Sequence, residues 1–255
     1  MMQAQPRLDS IIFEVRYAYG HLYYDKCGQI LNDVERNCEG WIARSADINT
    51  GLLECPKREF RVGFNNIKFD FTSERADKQE LEKIAKEASS IWKIIRANLG
   101  LNEFFRIGCR VFHILPTVSI EDADKLLCKK DMSTKIESDF IDSGYKIKTR
   151  EITTVLTQEN TEYRVKLGSI TRAQSIDPSI LLKGDPRAMS KHQRETRMEA
   201  LKRLREYTSD PMYAILLDVD CVRFEIDVLN VEDYIVEQTQ KVIKDFYPIL
   251  TKLCQ

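Results

Sequence analysis

Residues 77–115 have the sequence DKQELEKIAKEASSIWKIIRANLGLNEFFRIGCRVFHIL, which joins a helix-like run to a strand-like run. From Leu81 onwards the apolar residues recur with the i, i+3, i+4 spacing of one helical face. Those residues are Leu81, Ile84, Ala85, Ala88, Ile91, Trp92, Ile95 and Leu99. Asp77 and Glu80 have the spacing of a capping box, and Gly100 stands where a C-terminal cap belongs. The stretch therefore predicts a long amphipathic helix, followed by a strand over 104–112 that Pro116 closes.

The composition is typical of a soluble globular protein, with 43% hydrophobic and 31% charged residues. A formal net charge of -1 argues against a general binder of polyanions. The seven cysteines are odd in number and form no C-x-x-C motif, which predicts reduced thiols in the cytoplasm. The first ten residues lack a secretory-signal pattern, and no apolar run is long enough to span a membrane. We therefore expect a cytoplasmic protein with no membrane segment.

The elements before the long helix belong to an N-terminal half, residues 1–116. Residues 11–17 alternate as a half-buried strand does, with Phe13, Val15 and Tyr17 on one face and Glu14 and Arg16 on the other. A short helix over 30–38 and a strand over 40–46 follow. The strand alternation then changes phase at Asn65-Asn66, which predicts a tight hairpin or a bulge there, since asparagine tolerates a positive φ angle.

A C-terminal half, residues 117–255, repeats the order of these elements. Ser119 begins a helix that runs to about residue 130. The pattern then predicts a hairpin over 145–171, a helix over 191–207, a strand over 212–228 and a helix over 231–247 that Asn230 caps and Pro248 ends or kinks.

Two duplicated hairpin–helix–strand–helix units would account for this repeated order. The helix starts Ser119-Ile120-Glu121-Asp122 and Asn230-Val231-Glu232-Asp233 support the duplication, since their offset along the chain is close to that of the two long helices. A chance coincidence is the alternative, because a capping residue followed by acids begins many helices. The predicted fold class is α+β, with antiparallel sheets and helices packed on one side, and the halves 1–116 and 117–255 form one compact unit.

Three short motifs resemble an uncharacterised, sporadically distributed family of prokaryotic proteins of about this length. They are Phe13-Glu14-Val15-Arg16-Tyr17, Phe105-Arg106-Ile107-Gly108-Cys109-Arg110, and Leu217-Asp218-Val219-Asp220 before a final helix. Members of that family tend to have asparagine before the Arg-Ile-Gly triplet, where this chain has Phe105. The resemblance implies no activity, because no function or active site is assigned to the family.

Asp218 and Asp220 are the candidate metal ligands. They lie two residues apart in a predicted strand, so both carboxylates project from one face, about 6.6 Å apart. Such a pair could help to hold Mg²⁺, which prefers carboxylate oxygens and water. The alternative is a cross-strand match between these acids and Arg106 and Arg110 on the equivalent strand of the first half.

Charged residues also alternate along other predicted strands. The pairs are Glu14 and Arg16, Lys68 and Asp70, Lys146 and Lys148, Arg164 and Lys166, and Arg223 and Glu225. Facing inward, they would resemble the charged tunnel of a triphosphate-processing barrel, although the N-terminal Glu-x-Glu-x-Lys motif of such enzymes is missing. Facing water, they form the polar side of antiparallel sheets whose other side packs on helices.

Other catalytic signals are weak. Cys109 and His113 share strand parity, so a thiol–imidazole pair is conceivable, but a core cysteine and a satisfied histidine account for them as well. The sequence contains no G-x-S-x-G, P-loop, glycine-rich dinucleotide turn or H-E-x-x-H motif. We therefore expect no cofactor.

The most unusual segment is 183–205, where lysines and arginines far outnumber acids. Four of its basic residues form a candidate partner-binding surface: Lys191, Arg194, Arg197 and Arg205. The partner predicted for it is a protein with an acidic surface, and nucleic acid is the other class that the charge admits. A solvated helix face would also explain the segment. The sequence thus predicts an intracellular protein-binding or regulatory scaffold module without catalytic activity; the alternative is a metal-dependent enzyme acting on phosphates or nucleic acid.

Overall fold

The computed structural model describes residues 5–129, 151–171, 213–226 and 230–253. Within them, nine strands form one large antiparallel sheet in the order β2-β3-β4-β5-β1-β6-β9-β8-β7. The strands are β1 Arg7–Tyr17, β2 Ile42–Ala46, β3 Gly51–Cys55, β4 Phe60–Phe64, β5 Lys68–Glu74, β6 Phe104–Thr117, β7 Glu151–Gln158, β8 Thr161–Thr171 and β9 Tyr213–Ile226. The helices are α1 Tyr23–Asn37, α2 Leu81–Leu99, α3 Ile120–Lys129, α4 Val231–Asp245 and α5 Tyr247–Leu253. The mixed helix-and-strand class is thereby confirmed.

The long helix predicted from the sequence is α2, and all eight residues of its apolar face are buried. The Asp77 side chain accepts a hydrogen bond from the Gln79 backbone N–H at 2.9 Å, in a single 3₁₀ turn that leads into the helix. Gly100 ends the helix at a φ of 63°, the left-handed conformation that glycine adopts without strain. The amphipathic face and Gly100 therefore act as predicted. The capping box differs from the prediction, because Asp77 caps the 3₁₀ turn rather than α2 itself and the Glu80 carboxylate accepts from Lys83 Nζ at 3.3 Å.

The core lies between one face of the sheet and the helices α1, α2 and α4. Phe13, Val15 and Tyr17 of β1 are buried there, as the strand alternation predicts. Trp92 of α2 is central to this packing because its ring contacts three other aromatic rings. Their centroids lie 5.2–6.1 Å away and belong to Tyr17, Phe69 and Phe104. Helix α2 also packs against α1 and α4. The opposite face of the sheet carries the charged residues.

Two local details differ from the sequence prediction. Helix α1 begins at Tyr23, a full two turns before Ile30, because Tyr23 and Cys27 extend the same buried face. The hairpin between β4 and β5 forms where predicted, but no positive φ is found at Asn65 or Asn66. The Asn65 side-chain oxygen instead accepts hydrogen bonds from the backbone N–H groups of Ile67 and Lys68, at 2.9 and 3.0 Å.

Helix ends in the second half follow their predicted caps. Ser119 Oγ accepts from the Asp122 N–H at 3.1 Å, and Asn230 Oδ1 accepts from the Asp233 N–H at 3.4 Å. The last helix breaks at Phe246, and α5 then includes Pro248 in its first turn. Strand β6 continues through Pro116, which lies beyond the residues that pair with β1.

The chain forms two compact units. The first comprises Met1–Leu115, Glu151–Gly168 and Leu216–Gln255, and the second Pro116–Arg150 and Ser169–Ile215. In the second unit, Ser169 Oγ donates to Asp124 Oδ1 of α3 at 2.7 Å. The division at residue 116 stays a prediction, and the predicted helix over 191–207 lies outside the described residues. Among the described helices, none has the length and apolar content needed to cross a membrane.

Candidate functional site

The candidate site is a set of ion pairs on the open face of the sheet, opposite the helices. Its eight residues come from four adjacent strands, β5, β1, β6 and β9, and we call them the charge ladder. They are Lys68, Asp70, Glu14, Arg16, Arg106, Arg110, Asp218 and Asp220. They share this face because side chains alternate along a strand, and the intervening residues pack against the helices.

Glu14 is the central carboxylate of the charge ladder. It accepts hydrogen bonds from Arg16 Nε at 2.9 Å and from Arg106 Nη1 at 3.0 Å, and Lys68 Nζ lies 4.0 Å away. Glu14 is directly opposite Asp70 in the β1–β5 register, and two facing carboxylates repel each other. Lys68 relieves that repulsion, because its ammonium lies 2.8 Å from Asp70.

Asp218, which pairs with Arg110, is the most buried carboxylate of the charge ladder. Asp218 is only 3% exposed, and its two oxygens accept from Arg110 Nε, at 2.7 Å, and from Arg110 Nη2. The guanidinium also lies over the Phe112 ring, 5.0 Å from its centroid. The hydrogen bonds that Arg110 donates to Asp218 raise the pKa of the guanidinium above its usual value, against the opposing effect of burial. This geometry is the two-bond fork that arginine makes with carboxylates.

Asp220 is less tightly held. Its nearest cation is Arg106, whose Nη2 atom lies 4.0 Å from Oδ2. Burial raises the pKa of the Asp220 carboxyl, and the charge of Asp218 acts in the same direction, while Arg106 and Arg110 oppose the rise. Between Asp220 and Glu14 stands Gly108, which pairs with Glu14 and has no side chain to fill the space above it. A methyl group at Gly108 would lie 3.9 Å from Asp220 Oδ1, so the position has room for alanine.

The structure decides between the two sequence-based interpretations of the strand charges. The sheet order begins at β2 and ends at β7, and within the described part of the chain these two edges do not pair to close a tunnel. The charges described on β1, β5, β6 and β8 therefore lie on the polar face of this sheet. Arg223 instead lines a pocket with Tyr234 of α4, on the helix side. Lys146, Lys148 and the Glu225 side chain lie outside the described residues. The cross-strand match of Asp218 and Asp220 with Arg110 and Arg106 is confirmed as well.

The metal prediction for Asp218 and Asp220 stays a prediction. Both oxygens of Asp218 are already bonded to Arg110, so a metal would have to displace a charged partner. Among the residues that the structure describes, no cluster of three or more His, Cys, Asp or Glu side chains is arranged to hold a metal ion. The partner-binding residues Lys191, Arg194, Arg197 and Arg205 lie outside the described ranges.

Cys109 and His113 do not form a pair. The Cys109 thiol lies 3.8 Å from Thr239 Oγ1, and burial raises its pKa to about 12, so it is a protonated core cysteine. The His113 ring packs against Tyr247 with centroids 5.2 Å apart. Its Nδ1 atom is buried with no hydrogen-bond partner, and burial lowers the pKa of His113 to about 4. Neither residue has the environment of a nucleophile and its base.

The ladder residues are visible in the sequence as alternating charges, but the central role of Glu14 is not. The sequence does show that the members of each pair lie on one face of a strand, because their spacing is even. The pairs are Glu14 and Arg16, Lys68 and Asp70, and Arg106 and Arg110. The strand order that brings these three pairs together is not encoded in local spacing.

Neither a scan against protein-family models nor a search of curated proteins finds a match to this chain. The charge ladder is therefore interpreted from its own geometry.

Proposed function

We propose that this protein is a non-catalytic protein-binding module of the regulatory or scaffold kind, acting in the cytoplasm, and that it binds through the charge ladder. One observation carries the proposal: each of the four ladder carboxylates has a lysine or arginine nitrogen within 4.0 Å. Carboxylates that are already neutralised in this way are poor general bases and poor metal ligands, because the cation must first be displaced.

The balance of charges favours a protein partner over a phosphate. The charge ladder contains four acids and four bases, so it lacks the excess of positive charge that attracts phosphate groups. It also lies on a sheet face rather than in a cleft. Broad surfaces with alternating charge are recognised by complementary protein surfaces, for which charge sets specificity and association rate.

The exposed fractions of the acidic and basic side chains favour a partner with an acidic surface. Three of the four bases, Arg16, Lys68 and Arg110, have side chains 38–44% exposed. The four acids have side chains 5–28% exposed, and Arg106 lies among them at 24%. The outermost layer of the charge ladder is therefore cationic, above a layer of carboxylates. A partner with exposed acids would contact the cations first. The basic residues Lys191, Arg194, Arg197 and Arg205 remain a second predicted contact for the same acidic partner.

Duplication of the fold belongs to the same proposal. The sheet order supports it, because two similar series of strands flank the central β1–β6 pair. On one side the order continues through β5 and β4, and on the other through β9 and β8. The repeated units that this order favours begin at β1 and at β6. The units predicted from the sequence begin later in the chain, at the hairpins.

A metal-dependent enzyme acting on phosphates or nucleic acid is the second candidate, and Asp220 favours it. That carboxylate has one cation at 4.0 Å and lies beside the space above Gly108.

A thermal-shift titration with Mg²⁺ and Mn²⁺ separates the two candidates. Stabilisation by either ion that is lost in Asp220→Asn would support the enzyme, and an unchanged unfolding temperature would support the binding module.

Capture of the partner from native cells tests the main proposal. The full chain is used as bait beside the charge-reversed variant Arg16→Glu/Lys68→Glu. The matched control reverses two exposed lysines of α2, in the variant Lys86→Glu/Lys93→Glu, on the far side of the sheet. We expect the ladder variant to lose a protein that wild type and control both retain. Equal recovery by all three baits would refute binding through the charge ladder.

A further inference from the structure

The two edges of the sheet differ in how they are protected. Strand β2 has five residues, a register irregularity between Ala43 and Ser45, and an Arg44 side chain that is ion-paired to Glu54 at 2.7 Å. Short length, bulges and charges are the usual devices that stop an edge strand from pairing with another chain. Strand β7 has eight residues and pairs with β8 in an uninterrupted register. It has neither the short length nor the irregularity of β2.

The sequence of β7 is also suited to pairing. EITTVLTQ contains four β-branched residues in positions 152–155, no proline and a single charge. Val155 is 51% exposed and Leu156 45% exposed, although both are apolar. The one charge, Glu151, is neutralised by Lys166 Nζ at 3.1 Å. Within the part of the chain that the structure describes, no strand pairs with the outer edge of β7.

Hairpin geometry identifies which backbone groups point outward. Gln158 pairs with Thr161 across a two-residue loop, so the backbones of these two residues are hydrogen-bonded to each other. From this pair onwards, hydrogen-bonded and non-hydrogen-bonded pairs alternate along the hairpin. Residues 152, 154 and 156 therefore direct their N–H and C=O groups to β8. The backbone groups of Thr153, Val155 and Thr157 point away from the sheet and are available to another strand.

We propose that a second copy of this chain occupies that edge, with the two β7 strands antiparallel about a twofold axis at Thr154. In this register Thr153 faces Val155 of the other copy, Ile152 faces Leu156, and Glu151 faces Thr157. The outward-pointing groups of Thr153 and Val155 then form a hydrogen-bonded pair, and no like charges meet. An axis at Val155 would instead place Glu151 against Glu159. The self-complementary sequence thus argues for a second copy rather than an unrelated strand.

Sedimentation of the full chain over a wide concentration series tests the dimer. The variant Thr153→Glu/Val155→Glu places two glutamates opposite each other across the twofold axis, whereas within one copy they face Lys166 and Arg164 of β8. The hairpin should thus keep its fold while the dimer is lost. Ala46→Glu on the β2 edge is the matched control. We expect wild type and control to shift from monomer to dimer with concentration and the double variant to stay monomeric.

A second measurement does not depend on adding charge. In the proposed register the two Thr154 residues face each other in a non-hydrogen-bonded pair, with Cα atoms about 4.5 Å apart, which a disulfide can bridge. Mild oxidation of Thr154→Cys should give a dimer cross-linked at that residue, identified by peptide mass mapping, and Gln158→Cys should not. A wild type that is monomeric throughout, a dimer that survives the two glutamates, or equal cross-linking at 154 and 158 would each overturn the proposal. The charge ladder is not altered in any of these variants, so its own test stands separately.

Discussion

Arg110 and Asp218 form a two-bond ion pair between β6 and β9 in which the carboxylate is buried and the guanidinium is partly exposed. Removing only the arginine leaves a buried charge without a partner, which typically costs 3–5 kcal/mol, so we expect Arg110→Ala to lower the free energy of unfolding by about 3 kcal/mol. The double variant Arg110→Ala/Asp218→Ala should be more stable than Arg110→Ala alone. Denaturant titration of the full double-mutant cycle measures this, and additive effects would contradict the pairing.

Glu14 should stabilise the fold by holding three cations together. Glu14→Gln leaves Arg16, Lys68 and Arg106 close to one another with less negative charge between them, and we expect a loss of about 1–2 kcal/mol. The loss should shrink in 1 M salt, where the Debye length is about 3 Å. Unfolding at low and high salt measures it, with Glu82→Gln on the exposed face of α2 as the control. A loss that does not depend on salt would argue against this role of Glu14.

His113 should make the protein less stable in acid. Burial lowers its pKa to about 4 in the folded protein, against an ordinary value of 6.5, so the unfolded chain binds a proton first as the pH falls. The contribution of the neutral ring is therefore complete above about pH 6.5 and is lost progressively down to about pH 4, for a total of about 3 kcal/mol. Unfolding free energies measured across this range should fall less steeply in His113→Leu than in wild type. Parallel curves for the two proteins would show that another group is responsible.

Ile91 should be far less tolerant of substitution than an exposed neighbour on the same helix. Ile91 is fully buried, so Ile91→Ala leaves a cavity and should cost about 2–5 kcal/mol. Lys93 is exposed, and Lys93→Ala should change stability by less than about 0.5 kcal/mol. Denaturant titration of both variants measures the difference. Equal tolerance would mean that the packing of α2 is misassigned.

Local patterns accounted for much of the fold. The spacing of apolar residues predicts α2, and the alternation in β1 predicts its buried face, because both depend on neighbours along the chain. The start of α1 was missed, since Gly28 interrupts the pattern that Tyr23 and Cys27 begin. The Asn65 turn was predicted for the wrong reason, because its side-chain hydrogen bonds, not a positive φ, shape it.

The candidate site was harder to predict because it depends on long-range pairing. Spacing alone shows that Asp218 and Asp220 share a face of their strand. It does not distinguish a metal ion from an arginine as the group that these two acids bind. Only the adjacency of β6 and β9 brings Arg110 to Asp218, and only the position of β1 between β5 and β6 gives Glu14 its three cations. These strands are distant in sequence, so no local signal fixes which of them are neighbours.

A cross-linking map of the captured complex shows which surface of this chain contacts the partner. An amine-reactive cross-linker joins lysines of this chain to the partner, and mass spectrometry identifies the linked peptides. Lys68 belongs to the charge ladder and Lys166 lies on the same face of the sheet, whereas Lys86 and Lys93 lie on α2. We predict links from Lys68 and Lys166 to the partner. Links confined to Lys86 and Lys93 would refute binding through the charge ladder, because they would place the partner on the helices.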